Sequence, residues 1–285
     1  ADVIVTGEFT NDGFGYSVSS AGDVNGDGYA DILTGAYGYS SNTGRGYLYD
    51  YSMKNEITHD LSLTGEVFTA FGVSVSSAGD VNGDGYSDVI VGASDYSTYT
   101  GRGYIYFGGA AMDNVADVTM TGEASGNFFG LSVSSAGDVN GDGYADVIVG
   151  AYDYSAIGRA YIYLGGTAMN NVADVIMTGE AANNTFGRSV SSAGDVNGDG
   201  YADVIVGASE YSSLTGRAYI YFGGAAMNNV ADVTMTGEAA NSQFGRSVSS
   251  AGDVNGDGYS DVIVGAVEYS SLTGRAYIYF GGAAM

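Results

Sequence analysis

Asp195-Val-Asn-Gly-Asp-Gly-Tyr-Ala-Asp203 is written five times in this chain, with Ala or Ser as its eighth residue, beginning at Asp23, Asp80, Asp138, Asp195 and Asp253. Every copy puts side-chain oxygens at positions 1, 3, 5 and 9, glycine at position 6 and a backbone carbonyl at position 7. A hard cation that takes six to eight oxygens, above all Ca²⁺, calls for such a set. The candidate metal ligands are Asp23, Asn25, Asp27, the carbonyl of Tyr29 and Asp31 in the first loop, and Asp80, Asn82, Asp84, Tyr86 and Asp88 in the second. They continue as Asp138, Asn140, Asp142, Tyr144 and Asp146 in the third, Asp195, Asn197, Asp199, Tyr201 and Asp203 in the fourth, and Asp253, Asn255, Asp257, Tyr259 and Asp261 in the fifth. About five ions are expected, one per loop.

The loop is not an EF-hand, which needs a bidentate Glu at position 12. Position 12 is Thr34, Val91, Val149, Val206 or Val264, so position 9 must supply the last ligand. The chain then enters Asp88-Val-Ile-Val-Gly-Ala93 or its equivalent, a β-branched run that reads as a strand.

The loops are spaced 57, 58, 57 and 58 residues apart, and a regular period of this length means a repeat architecture. In the fourth unit, Phe186-Gly187, Val204-Ile-Val-Gly-Ala208, Gly216-Arg217-Ala-Tyr-Ile-Tyr-Phe222 and Ala231-Asp-Val-Thr-Met235 are strand-like runs, separated by Gly, Asn and Ser turns. Four short antiparallel strands per repeat make a propeller blade.

Phe-Gly at Phe14, Phe71, Phe129, Phe186 and Phe244, the acidic loop, and Gly-Ala at Gly35, Gly92, Gly150, Gly207 and Gly265 together resemble the FG-GAP repeat of integrin α-subunit propellers and related bacterial and fungal proteins. The resemblance covers essentially the whole chain. Two departures stand out: no repeat contains Pro, and there are five units where integrin-type propellers have seven blades. The expected fold is all-β, a β-propeller of five four-stranded blades forming a single domain over residues 1–285.

Ala1-Asp-Val-Ile-Val-Thr-Gly-Glu8 matches Ala231-Asp-Val-Thr-Met-Thr-Gly-Glu238, a fourth strand and the turn after it, while the last unit stops after its third strand at Tyr277-Ile-Tyr-Phe-Gly-Gly282. Residues 1–8 are therefore expected to close the ring as the outer strand of the last blade; the competing reading is five units of a longer array. Ile105, Val149, Ile162, Ile205, Ile220, Val264 and Ile278 are expected in the core between blades, with the tyrosines of Tyr-Ile-Tyr on the opposite face of the strand.

Composition narrows function. There are 33 Asp and Glu against 8 Lys and Arg, a formal charge of −25 that five Ca²⁺ would bring to −15. Nucleic acid and anionic membranes need basic patches and are not expected partners. No apolar run approaches a membrane span, and the N-terminus lacks a signal-like segment, so the chain reads as a mature or trimmed form. With no Cys, one His and no Gly-x-Ser-x-Gly or phosphate-cradling motif, catalysis is not expected.

Alternation along an antiparallel blade puts the acidic loops at one end. At the other lie the loops carrying Tyr39, Tyr96, Tyr154, Tyr211 and Tyr269, with Arg45, Arg102, Arg159, Arg217 and Arg275, the face where ligands dock in integrin-like propellers. These groups either meet a protein or glycan ligand, or the arginines pair with a Glu such as Glu66 or Glu123 and the tyrosines pack at blade junctions. The resemblance implies a calcium-stabilised, extracellular or cell-surface interaction and adhesion module. A multivalent lectin with sites between blades is the alternative, and a designed or recently amplified repeat without an evolved ligand is a third.

Overall fold

The β-branched runs of each repeat become strands because each can pair with its neighbour across a tight, glycine-rich turn. The computed structural model describes residues 3–51 and 57–285. Two compact units are present, Ala1–Ser134 with Gly165–Val172, and Ser135–Leu164 with Ala173–Met285.

Five antiparallel sheets match the five repeats, one per blade. The first is β1 (Phe14–Gly22), β2 (Asp31–Ala36), β3 (Arg45–Tyr51) and β4 (Ile57–Thr64); the second is β5 (Phe71–Gly79), β6 (Asp88–Ala93), β7 (Arg102–Tyr106) and β8 (Val118–Thr121). The third comprises β9 (Ser132–Gly137), β10 (Asp146–Ala151), β11 (Arg159–Tyr163) and β12 (Val175–Thr178), and the fourth β13 (Phe186–Gly194), β14 (Asp203–Ala208), β15 (Arg217–Tyr221) and β16 (Val233–Thr236). β17 (Phe244–Gly252), β18 (Asp261–Ala266) and β19 (Arg275–Tyr279) make the fifth. Strand order within each sheet follows the chain, with Ile220 opposite Ile205 on one side and Val233 on the other.

Alternation sends the two faces of a sheet into different cores. In the second unit, Ile148, Ile162 and Met177 of one sheet pack against Val204, Val206, Tyr219 and Tyr221 of the next. Ile205, Ile220 and Met235 on the other face then meet Phe244, Val262 and Val264. The first unit repeats the scheme with Leu33, Leu48 and Leu63 against Phe71, Val91, Tyr104 and Tyr106. Within each unit a leucine or isoleucine face thus receives a face that bears tyrosines.

The Phe-Gly and Gly-Ala dipeptides make this stacking close. A Cβ placed on Gly207 would strike the carbonyl oxygen of Gly245 in the next sheet, and one on Gly35 that of Gly72, so only glycine permits the approach. The first strands of neighbouring sheets add a hydrogen bond, the Val248 amide donating to Ser189 Oγ at 3.1 Å and Val75 to Ser17 Oγ at 2.9 Å.

Two expectations need correction. Six of the seven expected core residues are fully buried, but Ile278 is 52% exposed. The fifth sheet also has three strands: Ala1 and Asp2 lie outside the described residues, and residues 3–7 form no strand, with Ile4 79% exposed. A strand-like pattern supplies propensity, whereas a strand forms only against a partner edge. No helix among the described residues is long and apolar enough to cross a membrane.

Candidate functional site: acidic loops and arginine clamps

Asx chemistry folds each acidic loop. In the fourth, Asp195 Oδ1 accepts the amides of Gly198 and Asp199 at 2.6 and 3.2 Å, and its Oδ2 accepts Gly200 at 2.9 Å. Asn197 Oδ1 accepts Asp199, Asp199 Oδ1 accepts Tyr201, and Asn197 Nδ2 donates to Asp199 Oδ2 at 2.9 Å. The tight turn needs a left-handed residue at position 6, which Gly200 provides with φ of 92°. The same bonds hold the second loop around Asp80, Asn82 and Asp84.

Position 9 has a different environment. Asp203 is fully buried, accepting the amide of Val196 on Oδ2 and of Gly223 on Oδ1, both at 2.8 Å. Asp88 does the same with Val81 and Gly108. Burial pushes the Asp88 carboxyl up to about 7, against its two amide donors and with further upward pressure from Asp84 and Asp80. Asp203 is raised to about 6 by the same causes.

Among the described residues, no three acidic or histidine side chains are gathered as a ready-made metal centre. The donor set nevertheless fits a hard cation chemically. It is all oxygen, and a carboxylate that accepts loop amides keeps lone pairs for an ion. Position 9 is where the sequence reading was incomplete, because Asp203 also ties the loop to the Gly223 turn.

At the opposite end of each sheet, the expected Tyr and Arg groups are found together. The Arg217 guanidinium carbon lies 3.7 Å from the centre of the Tyr211 ring, an Nη is 2.6 Å from Glu180, and Nε donates to Thr236 Oγ1 at 3.0 Å. Arg45 stacks on Tyr39 and pairs with Glu8, Arg102 on Tyr96 with Glu66, and Arg275 on Tyr269 with Glu238. Arg159 lies 3.7 Å over Tyr154. Arg45, Arg102, Arg217 and Arg275 therefore each lock a Tyr loop to a Thr-Gly-Glu turn, the pairing alternative of the sequence reading. Burial raises the Tyr219 hydroxyl beneath this clamp to about 12.

A cleft of about 580 Å³ opens on this side of the first sheet, lined by Phe9, Asn11, Asp12, Tyr39 and Asn42 among others. The sequence reading missed it. Its signal was a departure from the repeat, with Phe9 where other units have Val67, Ala124, Ala181 and Ala239, and Gly38 where they carry Asp or Glu. Phe9 is 65% exposed, its ring centre 6.0 Å from that of Tyr39.

Comparison with known proteins places these features. Residues 14–49, 71–106, 129–163, 186–221 and 244–279 match the pattern described as the FG-GAP repeat. Integrin alpha-5 of Xenopus laevis is 37% identical over 155 residues, 49% of this chain and 15% of that protein. Integrin alpha-7 of Rattus norvegicus is 35% identical over 167 residues (56% and 14%), and integrin alpha-6 of Gallus gallus 36% over 152 (51% and 14%). The chain thus spans only 14 to 15% of the length of these relatives.

Proposed function

We propose a non-catalytic, calcium-stabilised adhesion role, from the premise that this chain belongs to the FG-GAP repeat family. The observation that carries the calcium part is the recurrence of one all-oxygen loop, folded by the same Asx bonds, in every repeat. One Ca²⁺ per loop would be held by the side chains of positions 1, 3 and 5, the carbonyl of position 7 and the buried Asp of position 9. The ion would offset carboxylate repulsion and lock the first two strands of each sheet together.

Such loops stay filled where calcium is abundant, so the role is extracellular or at a cell surface, in keeping with the similarity to integrin alpha subunits. The ligand face is the one bearing the Tyr and Arg loops, opposite the calcium loops. The arginine clamps hold those loops rigid, and a protein ligand docks on the surface they present. Native mass spectrometry in calcium should find about five ions per chain, and immobilised chain should support cell attachment that EDTA abolishes. A stoichiometry of zero or one overturns the loop assignment; attachment unchanged by EDTA overturns calcium-supported adhesion.

The lectin reading is favoured by one observation, the exposed Phe9 ring beside Asn11 and Asn42 in the 580 Å³ cleft, an apolar platform next to amide groups. A glycan array separates the two. Specific glycan binding lost in Phe9→Ala supports the lectin, and a blank array supports adhesion to protein.

A further inference from the structure

Every Asn-Gly dipeptide of this chain sits at positions 3 and 4 of an acidic loop: Asn25-Gly26, Asn82-Gly83, Asn140-Gly141, Asn197-Gly198 and Asn255-Gly256. This pair of residues is prone to attack itself. The glycine amide nitrogen, which no side chain shields, can reach the Cγ of the asparagine before it. A C–N bond then closes a succinimide ring, while Nδ2 leaves as ammonia, carrying the amide proton with it. Water opens the ring at either carbonyl and leaves aspartate or isoaspartate, with no change of oxidation state.

The loops restrain both reacting groups. In all five, the glycine amide donates to the position 1 carboxylate at 2.6 to 2.7 Å. A carboxylate is far too weak a base to take that proton, and its charge opposes the amide anion that would attack. The asparagine Oδ1 accepts the position 5 amide at 2.8 to 2.9 Å in every loop, which fixes where Cγ lies. Four loops add a third bond: Nδ2 of Asn82, Asn140, Asn197 and Asn255 donates to the position 5 aspartate at 2.8 to 2.9 Å. The first loop differs. Asn25 Nδ2 has no partner among the described residues, although Asp27 occupies the same position, so its carboxamide is held through the oxygen alone.

We infer that the five position 3 asparagines are sites of spontaneous deamidation, with water as the co-reactant, that the loops' own bonds hold this reaction in check, and that Asn25 is modified first. The two products act differently. Aspartate keeps an oxygen at position 3 and adds a charge to a loop that already carries three carboxylates. Isoaspartate routes the main chain through the side-chain carbon and lengthens it by one atom between positions 3 and 4. The bonds from Asp23 to the amides of Gly26, Asp27 and Gly28 then lose their register, and the first loop opens irreversibly.

The test is peptide mapping of the full chain aged at neutral pH in calcium, with isoaspartate and aspartate scored at each site, against the same chain in urea. All five sites share Asp-Val-Asn-Gly-Asp-Gly-Tyr and should react at one rate in urea. In the folded chain each should be slower by roughly tenfold or more, since at least two hydrogen bonds must open before the ring closes. Asn25 should lead Asn197 by about threefold or more, for the one bond it lacks. Asp199→Asn sets an amide donor against Asn197 Nδ2 and should bring Asn197 to the Asn25 rate. The other four loops, unchanged, show that this variant is folded; should it unfold, the order among the parent's loops decides. Control by solvent exposure or by ion loss would put Asn255 first, because it is the exposed one of the five. Asn255 leading, five equal folded rates, folded rates that match urea, or a folded Asp199→Asn chain with Asn197 unmoved each overturns the inference.

Discussion

Arg217–Tyr221 and Arg275–Tyr279 are the same five residues, Arg-Ala-Tyr-Ile-Tyr, in the same place in successive sheets, yet they have different environments. Ile220 is completely buried and Ile278 is half exposed. Pairing is identical on one side, Ile220 facing Ile205 as Ile278 faces Ile263, but β15 also has β16 on its other edge, and among the described residues β19 has no such strand. A strand's burial belongs to its neighbours rather than to its own sequence. The same contrast runs through the acidic loops, where Val196 is buried and Val254 is 53% exposed.

Calcium removal should have the largest effect and sharpen the contrast between loops. If each loop holds an ion at about 100 times its Kd, every site would contribute roughly 2.7 kcal/mol to the folded state, and chelation should lower the Tm steeply. Ca²⁺ should restore it and Mg²⁺ only weakly, because Mg²⁺ gives up its waters reluctantly. The fifth loop, with its open Val254, should release its ion before the fourth. Comparing Asp257→Ala with Asp199→Ala by calcium titration checks the order, and equal affinity at both would break the contrast.

The next effect is packing. Ile220→Ala should cost about 2–5 kcal/mol of stability, as expected for a buried large-to-small change. Ile278→Ala should cost less than about 0.5 kcal/mol. Matched urea melts decide it, and a similar loss at both sites would mean that the fifth sheet's face is covered in solution.

A smaller effect concerns pH in the metal-free protein. The Asp203 carboxyl is raised by burial to about 6, above its ordinary 3.8, so the folded state binds this proton more tightly than the unfolded chain does. Its contribution to stability is fully present below about pH 4 and lost as pH rises through about 6. In EDTA, Asp203→Asn should flatten the Tm–pH profile across that window. With calcium bound the carboxylate form is favoured and the trend should disappear.

The arginine clamps should matter least. Arg217→Ala should cost about 1 kcal/mol, mostly from the stacked Tyr211 ring, because Glu180 is half exposed and its pair is screened by solvent. Arg275→Ala, whose side chain is 43% exposed, should cost less in the same melt.

Much was legible in the residues. Asp, Asn and Gly at fixed offsets write the loop because their side chains hydrogen-bond their own backbone within a few residues. The period of 57 to 58 residues placed the sheets, and period-two alternation put Ile220 and Tyr219 on opposite faces. The Tyr211–Arg217–Glu180 clamp was harder to see, because Glu180 comes from the turn after β12 while Arg217 begins β15. The cleft beside Phe9 was not legible because its walls, residues 9–12 and 38–42, meet only when the first sheet folds.

The sequence by itself determined the all-β class, the five repeats, the loops and the faces of each strand, since these depend on propensity, local hydrogen bonding and alternation over a few residues. Only the tertiary structure decided that Ile220 is buried and Ile278 is not, that Asp203 is a buried tie as well as a candidate ligand, and that residues 3–7 form no strand. The physical reason is the same in each case: burial and strand pairing need a second surface, and identical residues acquire different environments when that surface is present in one place and absent in the other.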